Sequence, residues 1–298
     1  MVSNAWYTVN YFKLSFGAWD SLQTHIELVR DLEALDARAN QADVERCLLD
    51  TDKGDSVKAL GQLGRYVPFK FLTPWMGSAN LSDSSVRERS QKVELGCPYQ
   101  LHSDRVEVPL AWAEYFKQHT TVLRDFCLWN LAQYLQARNP NVPQIVNKLV
   151  RPSVRESLVK QRQLWNAVLD HSEGMRCIYT GKELNVESHI EHFIPHAWVG
   201  HDQLWNLVPA DPVFNMSKSD RLPILGMHLE PFVSAHWQLL NVVREHELTS
   251  KLLDDYYSVV QLPFKEVTDR YLFGDKMRDT MVPLHSIALN NGFSELAA

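Results

Sequence analysis

Between His189 and Pro223 the chain reads HIEHFIPHAWVGHDQLWNLVPADPVFNMSKSDRLP. Its few polar residues are set among Phe, Ile, Trp, Leu and Val. Glu191 and His192 are adjacent, Asn206 sits in an apolar run, and Asn215 precedes Lys218 by one turn of a helix. A carboxylate and an amide oxygen are hard donors of the kind Mg²⁺ takes, with water in the remaining positions. A histidine titrates near neutrality and can draw a proton from water. An ion beside it would stabilise charge on a phosphate and on a departing oxygen. These residue types suit one-metal hydrolysis of a phosphodiester.

Three short elements would have to position them. RCIYTGKELN reads as a strand, a tight turn at Thr180–Gly181 and a return. ESHIEHFIP reads as a second strand that presents Glu191 and His192 at its end, and PVFNMSKSD opens a helix carrying Asn215 and Lys218. A hairpin and a helix would gather Glu191, His192 and Asn215 around one point. Blander readings stand beside this one. A single histidine after a strand is commonly structural, Asn215 has the chemistry of a helix cap, and Asn206 can brace a turn or act as a ligand. His196, Lys218 and Arg221 can be phosphate contacts or solvated surface groups. His189 lies three positions before His192, so an extended chain puts the two on opposite faces, which argues against a shared zinc.

The window resembles the HNH, or ββα-metal, endonucleases, in a zinc-less subtype. The resemblance rests on EHFIP, LWN and NMSK in that order, preceded by CIYTG. It implies that Glu191 is the first metal ligand, His192 the general base, Asn206 a brace between strand and helix, Asn215 the second ligand, and Lys218 a catalytic cation near the phosphate. The implied cofactor is Mg²⁺ or Mn²⁺. Two departures stand out. The family's first ligand is usually aspartate, and the extra methylene of Glu191 predicts a shift in metal preference toward Mn²⁺. Many relatives hold the hairpin with zinc on two CxxC pairs; only Cys177 is present here, so no structural zinc is expected.

The rest of the chain reads as mostly helical. Apolar spacing predicts a helix over 20–49 with Asp20 as cap, a shorter one over 56–66, and a short strand at RVEVP. A long, well-buried helix is expected over 109–139. Another is expected over 153–171, with Ser153 and Glu156 at capping-box spacing and Gly174 beyond its end. From Phe232 onward helix returns, interrupted near Pro263 and Pro283. The expected class is mostly α (α+β): a helical region over 1–174, a ββα-metal nuclease module over 175–226, and a helical C-terminal region over 227–298.

Composition narrows the partners. The 298 residues are 45% hydrophobic with a net charge of −6, enough apolar material for a core and too acidic for a uniformly basic nucleic-acid glove. A local basic stretch remains: Arg138, Lys148, Arg151, Arg155, Lys160 and Arg162 lie against Glu156 alone. Arg151, Arg155 and Arg162 recur at helical spacing, so one face would touch phosphates without reading sequence, unless it is simply solvated. Cys47, Cys97, Cys127 and Cys177 form no CxxC pair, which suits free thiols in a reducing cytoplasm. The opening MVSNAWYTVNYFKLSF lacks the pattern of a secretory signal, and no uninterrupted apolar run reaches membrane-spanning length. The expectation is a cytoplasmic endonuclease acting on nucleic acid, double-stranded DNA in the first place, of the kind found in restriction or antiphage defence. A protein partner would supply target recognition, and no membrane is involved. The alternative is a non-catalytic nucleic-acid-binding or scaffold subunit retaining a degenerate module.

Overall fold

The structure is a computed structural model that describes residues 2–18, 20–78, 80–149, 157–172 and 174–297. The chain divides into two compact units, Met1–Pro140 and Asn141–Ala298. The first holds helices α1 (Val2–Asn10), α2 (Leu22–Glu33), α3 (Gln41–Asp50), α4 (Gly54–Leu63), α5 (Val67–Phe71), α6 (Thr73–Met76) and α7 (Asp83–Ser90). A two-residue ladder, β1 (Gln100–Leu101) with β2 (Val106–Glu107), leads to α8 (Leu110–Gln118) and α9 (Thr120–Arg138).

The single helix expected over 20–49 is two. Ala34 takes a left-handed conformation that ends α2, and Asn40 starts α3 by accepting from the Asp43 amide at 2.9 Å. Asparagine at that position is a start signal that apolar spacing alone overrides. The helix expected over 109–139 also divides, at His119. Nor is its second part well buried. Val122, Phe126 and Trp129 are more than half exposed, and only Ala132 and Leu135 are buried. Its last turns are the ones anchored: the Tyr134 hydroxyl donates to the Phe16 carbonyl at 2.7 Å, and Asn139 exchanges hydrogen bonds with the backbone of Ser15.

The second unit contains α10 (Val159–Asp170), β3 (His189–His192), α11 (His196–Val199), β4 (Leu207–Ala210), α12 (Pro212–Lys218), α13 (Leu225–Glu245), α14 (Tyr257–Val260) and α15 (Arg270–Asn290). Ser153 and Glu156, the expected capping box of α10, lie outside the described residues. β3 and β4 pair antiparallel, with His189 opposite Ala210 and His192 opposite Leu207. With α12 they form a small ββα module in a chain that is otherwise predominantly helical. No helix among the described residues is long and apolar enough to cross a membrane.

A dense core holds this module in place. Phe193, Ile194, Trp198, Leu207 and Val208 are all fully buried. The Phe193 ring stacks on Phe232 of α13 with centroids 4.0 Å apart, and the Trp165 indole of α10 donates to the Leu207 carbonyl at 3.1 Å. Burying several such side chains contributes roughly 1.5–3 kcal/mol each. Beyond α12 the chain is clamped to the C-terminal tail: the Leu222 amide donates to Ser294 and its carbonyl accepts from Leu296. Pro283, expected to interrupt the last helix, lies inside α15. Met277, Met281 and His285 are buried on that helix, and their packing offsets the hydrogen bond that proline removes.

Candidate functional site

The hairpin expected at RCIYTGKELN is a single antiparallel bridge, Arg176 to Glu183, closed by a turn. Gly181 has φ +69°, and its amide donates to the Cys177 carbonyl at 2.9 Å. That conformation favours a residue without Cβ. The turn is tied to the helix it faces. Lys182 Nζ lies 2.5 Å from Asp211 Oδ2, and the Asp211 amide donates to Cys177 Sγ at 3.4 Å. Asp211 in turn caps α12, accepting from the amides of Val213 and Phe214. Asn215 therefore sits inside the helix and is not its cap.

Side chains alternate along β3, so His189 and Glu191 share one face and Ile190 and His192 the other. Contacts follow that division. On the first face Asn215 Nδ2 donates to His189 Nδ1 at 3.2 Å, and Lys218 Nζ donates to Glu191 Oε1 at 2.7 Å. The same ammonium donates to the His192 carbonyl at 2.9 Å. On the second face His192 Nε2 lies 2.7 Å from Asp202 Oδ1. His196 Nε2 is 4.0 Å from that oxygen, and its ring meets His192 edge-on with centroids 5.3 Å apart.

Lys218, expected near a phosphate, is fully buried and points inward. Burial pulls its pKa down and the Glu191 carboxylate opposes that shift. Arg221 is half-buried, and its guanidinium donates to the Lys218 and Ser217 carbonyls at the end of α12. Asn206 is fully buried: its Oδ1 accepts from the Ile194 amide at 2.9 Å and its Nδ2 donates to the Ile194 carbonyl at 2.8 Å. It thereby laces the turn after β3 to the start of β4.

The basic stretch is only partly on the surface. Arg162 and Lys160 are exposed on α10, while Arg151 and Arg155 lie outside the described residues. Lys148 is fully buried, donates to the Trp198 carbonyl and lies 5.2 Å from the centre of the Trp198 ring. Burial lowers its pKa to about 7, so it adds no fixed charge to a basic face. Asp202 is not singled out in the sequence; its contact with His192 appears only in the fold, as do those of His189 with Asn215 and of Tyr179 with Phe214. The Tyr179 hydroxyl is buried with no hydrogen-bond partner among the described residues. Burial, then the nearby charge of Glu191, raises its pKa well above the usual phenol value.

Among the described residues no group of three or more His, Cys, Asp or Glu is placed to hold a metal. Glu191 lies on β3 and Asn215 on α12, the helix whose Asn215 and Lys218 reach that strand. Residues 177–224 match the HNH endonuclease family, about a sixth of the chain. The chain therefore carries an HNH endonuclease-family domain. Comparison with curated proteins and with solved structures returned no match.

Proposed function

We propose that this protein is a metal-dependent endonuclease that hydrolyses phosphodiester bonds in double-stranded DNA, using Mg²⁺ or Mn²⁺. One observation carries the reading. Within the matched segment, Glu191 and Asn215 are each held by one atom only. Glu191 Oε1 takes Lys218 and Asn215 Nδ2 takes His189, while Glu191 Oε2 and Asn215 Oδ1 have no hydrogen-bond partner among the described residues. Two hard oxygens with spare acceptor capacity fit a water-rich divalent cation better than an all-protein cage.

Glu191 and Asn215 would hold the ion, which when bound supplies positive charge to the phosphate and the leaving oxygen. His192 accepts a proton from the attacking water. Lys218 holds the Glu191 carboxylate and the strand carbonyl beside it, so its work is orientation. Asn206 keeps the turn after β3 in register with β4. Arg162, with Arg151 and Arg155, contacts DNA phosphates and sets no sequence preference. Arg221, anchored at the end of α12, lends positive charge nearby, and His196 lies 4.0 Å from Asp202 beside the His192 ring. We assign the protein to the cytoplasm, to restriction or antiphage defence, and to action with a protein partner that recognises the target.

A divalent screen tests this directly. The full chain is incubated with plasmid and linear DNA in Mg²⁺, Mn²⁺ or EDTA, beside His192→Ala. Cleavage that needs metal and falls roughly 100-fold or more in the variant supports the proposal. A second reading has one observation in its favour, the ion pair that already engages one Glu191 oxygen. It makes the protein a non-catalytic nucleic-acid-binding subunit, and DNA binding without cleavage in any metal selects it.

A further inference from the structure

We propose that Asp202 is a positioning residue that fixes the orientation of His192 and the tautomer with its hydrogen on Nε2. This rests on the reading of His192 as general base. An ionised carboxylate only accepts hydrogen bonds. With Asp202 Oδ1 at 2.7 Å, the hydrogen of neutral His192 belongs on Nε2, and the lone pair belongs on Nδ1. The imidazole is nearly buried, and the carboxylate is mostly so, which keeps water from competing for the contact.

Asp202 stands on an anchored loop. Gln161 of α10 donates to its carbonyl at 3.2 Å, Asn147 donates to the Gly200 carbonyl at 3.2 Å, and the Leu204 amide donates to Asp255 at 2.7 Å. Lys148 holds the Trp198 carbonyl just before it. His192 is held from the other side, since Lys218 Nζ donates to its backbone carbonyl. Both ends of the contact are thus fixed by neighbours that take no part in it, which is what a preorganised base requires.

The chemistry follows from the geometry. Water loses a proton to the His192 imidazole as its oxygen bonds to phosphorus, the bond from phosphorus to the departing oxygen breaks, and that oxygen leaves as an alkoxide that takes a proton from solvent. The imidazolium that forms keeps Nε2–H on Asp202, and that hydrogen bond becomes charge-assisted. The carboxylate remains ionised and stabilises the cation while it exists, as the aspartate of a Ser-His-Asp triad does. His196, 4.0 Å from the same oxygen, packs edge-on against the ring and limits its rotation.

The test uses the full chain with ¹⁵N-labelled histidine, the His192 signals being assigned by their loss in His192→Gln. Asp202→Asn and Asp202→Ala are compared with the parent in three measurements: ring ¹⁵N shifts of neutral His192, single-turnover cleavage at saturating Mg²⁺ or Mn²⁺, and DNA affinity in EDTA. The parent is expected to show the Nε2–H tautomer, and Asp202→Asn to lose it. Cleavage should fall by at least about 100-fold with DNA affinity unchanged within about twofold. An Nδ1–H tautomer in the parent overturns the proposal, and so does an Asp202→Asn protein that keeps both tautomer and turnover. If the parent cleaves nothing, the endonuclease reading fails and the ¹⁵N shifts still decide the role of Asp202. If Asp202→Ala unfolds by circular dichroism, the isosteric Asp202→Asn carries the decision.

Discussion

Lys218 Nζ lies 2.7 Å from Glu191 Oε1, and the lysine is fully buried while the glutamate is nearly so. Two charges removed from water are sustained by each other and by the His192 carbonyl. Such a pair adds little net stability, but breaking it leaves a buried charge alone. Lys218→Met should therefore destabilise the protein by about 3–5 kcal/mol. The double variant Glu191→Gln with Lys218→Met should recover most of that loss. Urea unfolding measures both; a single variant as stable as the parent would show that the ammonium is not held inward in solution.

His189 touches the Asn215 amide nitrogen, which turns the amide oxygen away from it. Removing that contact lets the amide rotate and present its NH₂ group to a cation. His189→Ala should weaken Mn²⁺ binding by roughly 10- to 100-fold, as loss of groups that orient metal ligands does. Titration calorimetry reads this without any cleavage. Equal affinity would mean that Asn215 is oriented by the helix alone.

The buried hydroxyl of Tyr179 makes no hydrogen bond among the described residues. Tyr179→Phe keeps the ring stacked on Phe214, 4.6 Å between centroids, and removes the unsatisfied group. An unpaired buried hydroxyl costs about 1–3 kcal/mol, so the variant should be at least as stable as the parent in urea unfolding. A clear loss of stability would reveal a partner for the hydroxyl in solution.

His236 is fully buried, its Nδ1 is 2.6 Å from the Tyr256 hydroxyl, and burial lowers its pKa to about 3. Its unfolded value is near 6.5. Between those limits the unfolded chain binds a proton that the folded one does not, so stability falls as pH drops from 6.5 toward 3. The slope from this group approaches about 1.4 kcal/mol per pH unit. His236→Asn keeps a group able to bond Tyr256 and should remove that share of the slope. Unfolding free energies measured from pH 6.5 to 4.5 decide it, with parallel slopes in the two proteins as the contrary result.

The basic segment separates surface charge from buried charge. Arg151, Arg155 and Arg162 changed together to Glu should flatten the salt dependence of DNA affinity, because each released counterion contributes to the slope. Lys148→Met should leave the slope unchanged, since that amine is buried against Trp198. Both are measured on a His192→Ala background so that the DNA survives. An identical slope in all three proteins would place the DNA contacts elsewhere on the chain.

Glu191→Asp isolates the extra methylene. The longer side chain is what reaches Lys218 at 2.7 Å, so shortening it by roughly one bond length stretches the ion pair beyond hydrogen-bond range. Cleavage should persist with a relative gain for Mg²⁺ over Mn²⁺, accompanied by lower stability. The ratio of rates in the two metals, with a thermal melt, checks both parts.

The small ββα module late in a mostly helical chain was legible from residue order alone. Its polar residues stand at short, fixed spacings, and local patterns of that kind survive in one dimension. EHFIP, LWN and NMSK mark the strand end, the loop and the helix because each is a neighbourhood of a few residues. Helix breaks were less legible: Asn40 and His119 divide segments whose apolar spacing runs on without a gap. Spacing reports which residues can share a face, and it does not report whether anything covers that face, which is why α9 reads as core and is largely exposed.

Tertiary structure alone decided the direction of each charge and the partner of each donor. Lys218 and Lys148 look alike in the sequence to any solvated lysine, yet both are fully buried, one on a carboxylate and one on a backbone carbonyl. Asp202 meets His192 across ten residues and an intervening helix, and His189 meets Asn215 across twenty-six. Those pairings depend on how β3, β4 and α12 pack over Phe193, Trp198 and Phe232. Hydrogen bonds and ion pairs act through space over about 3 Å. The chain therefore specifies them only through the whole core that brings their ends together.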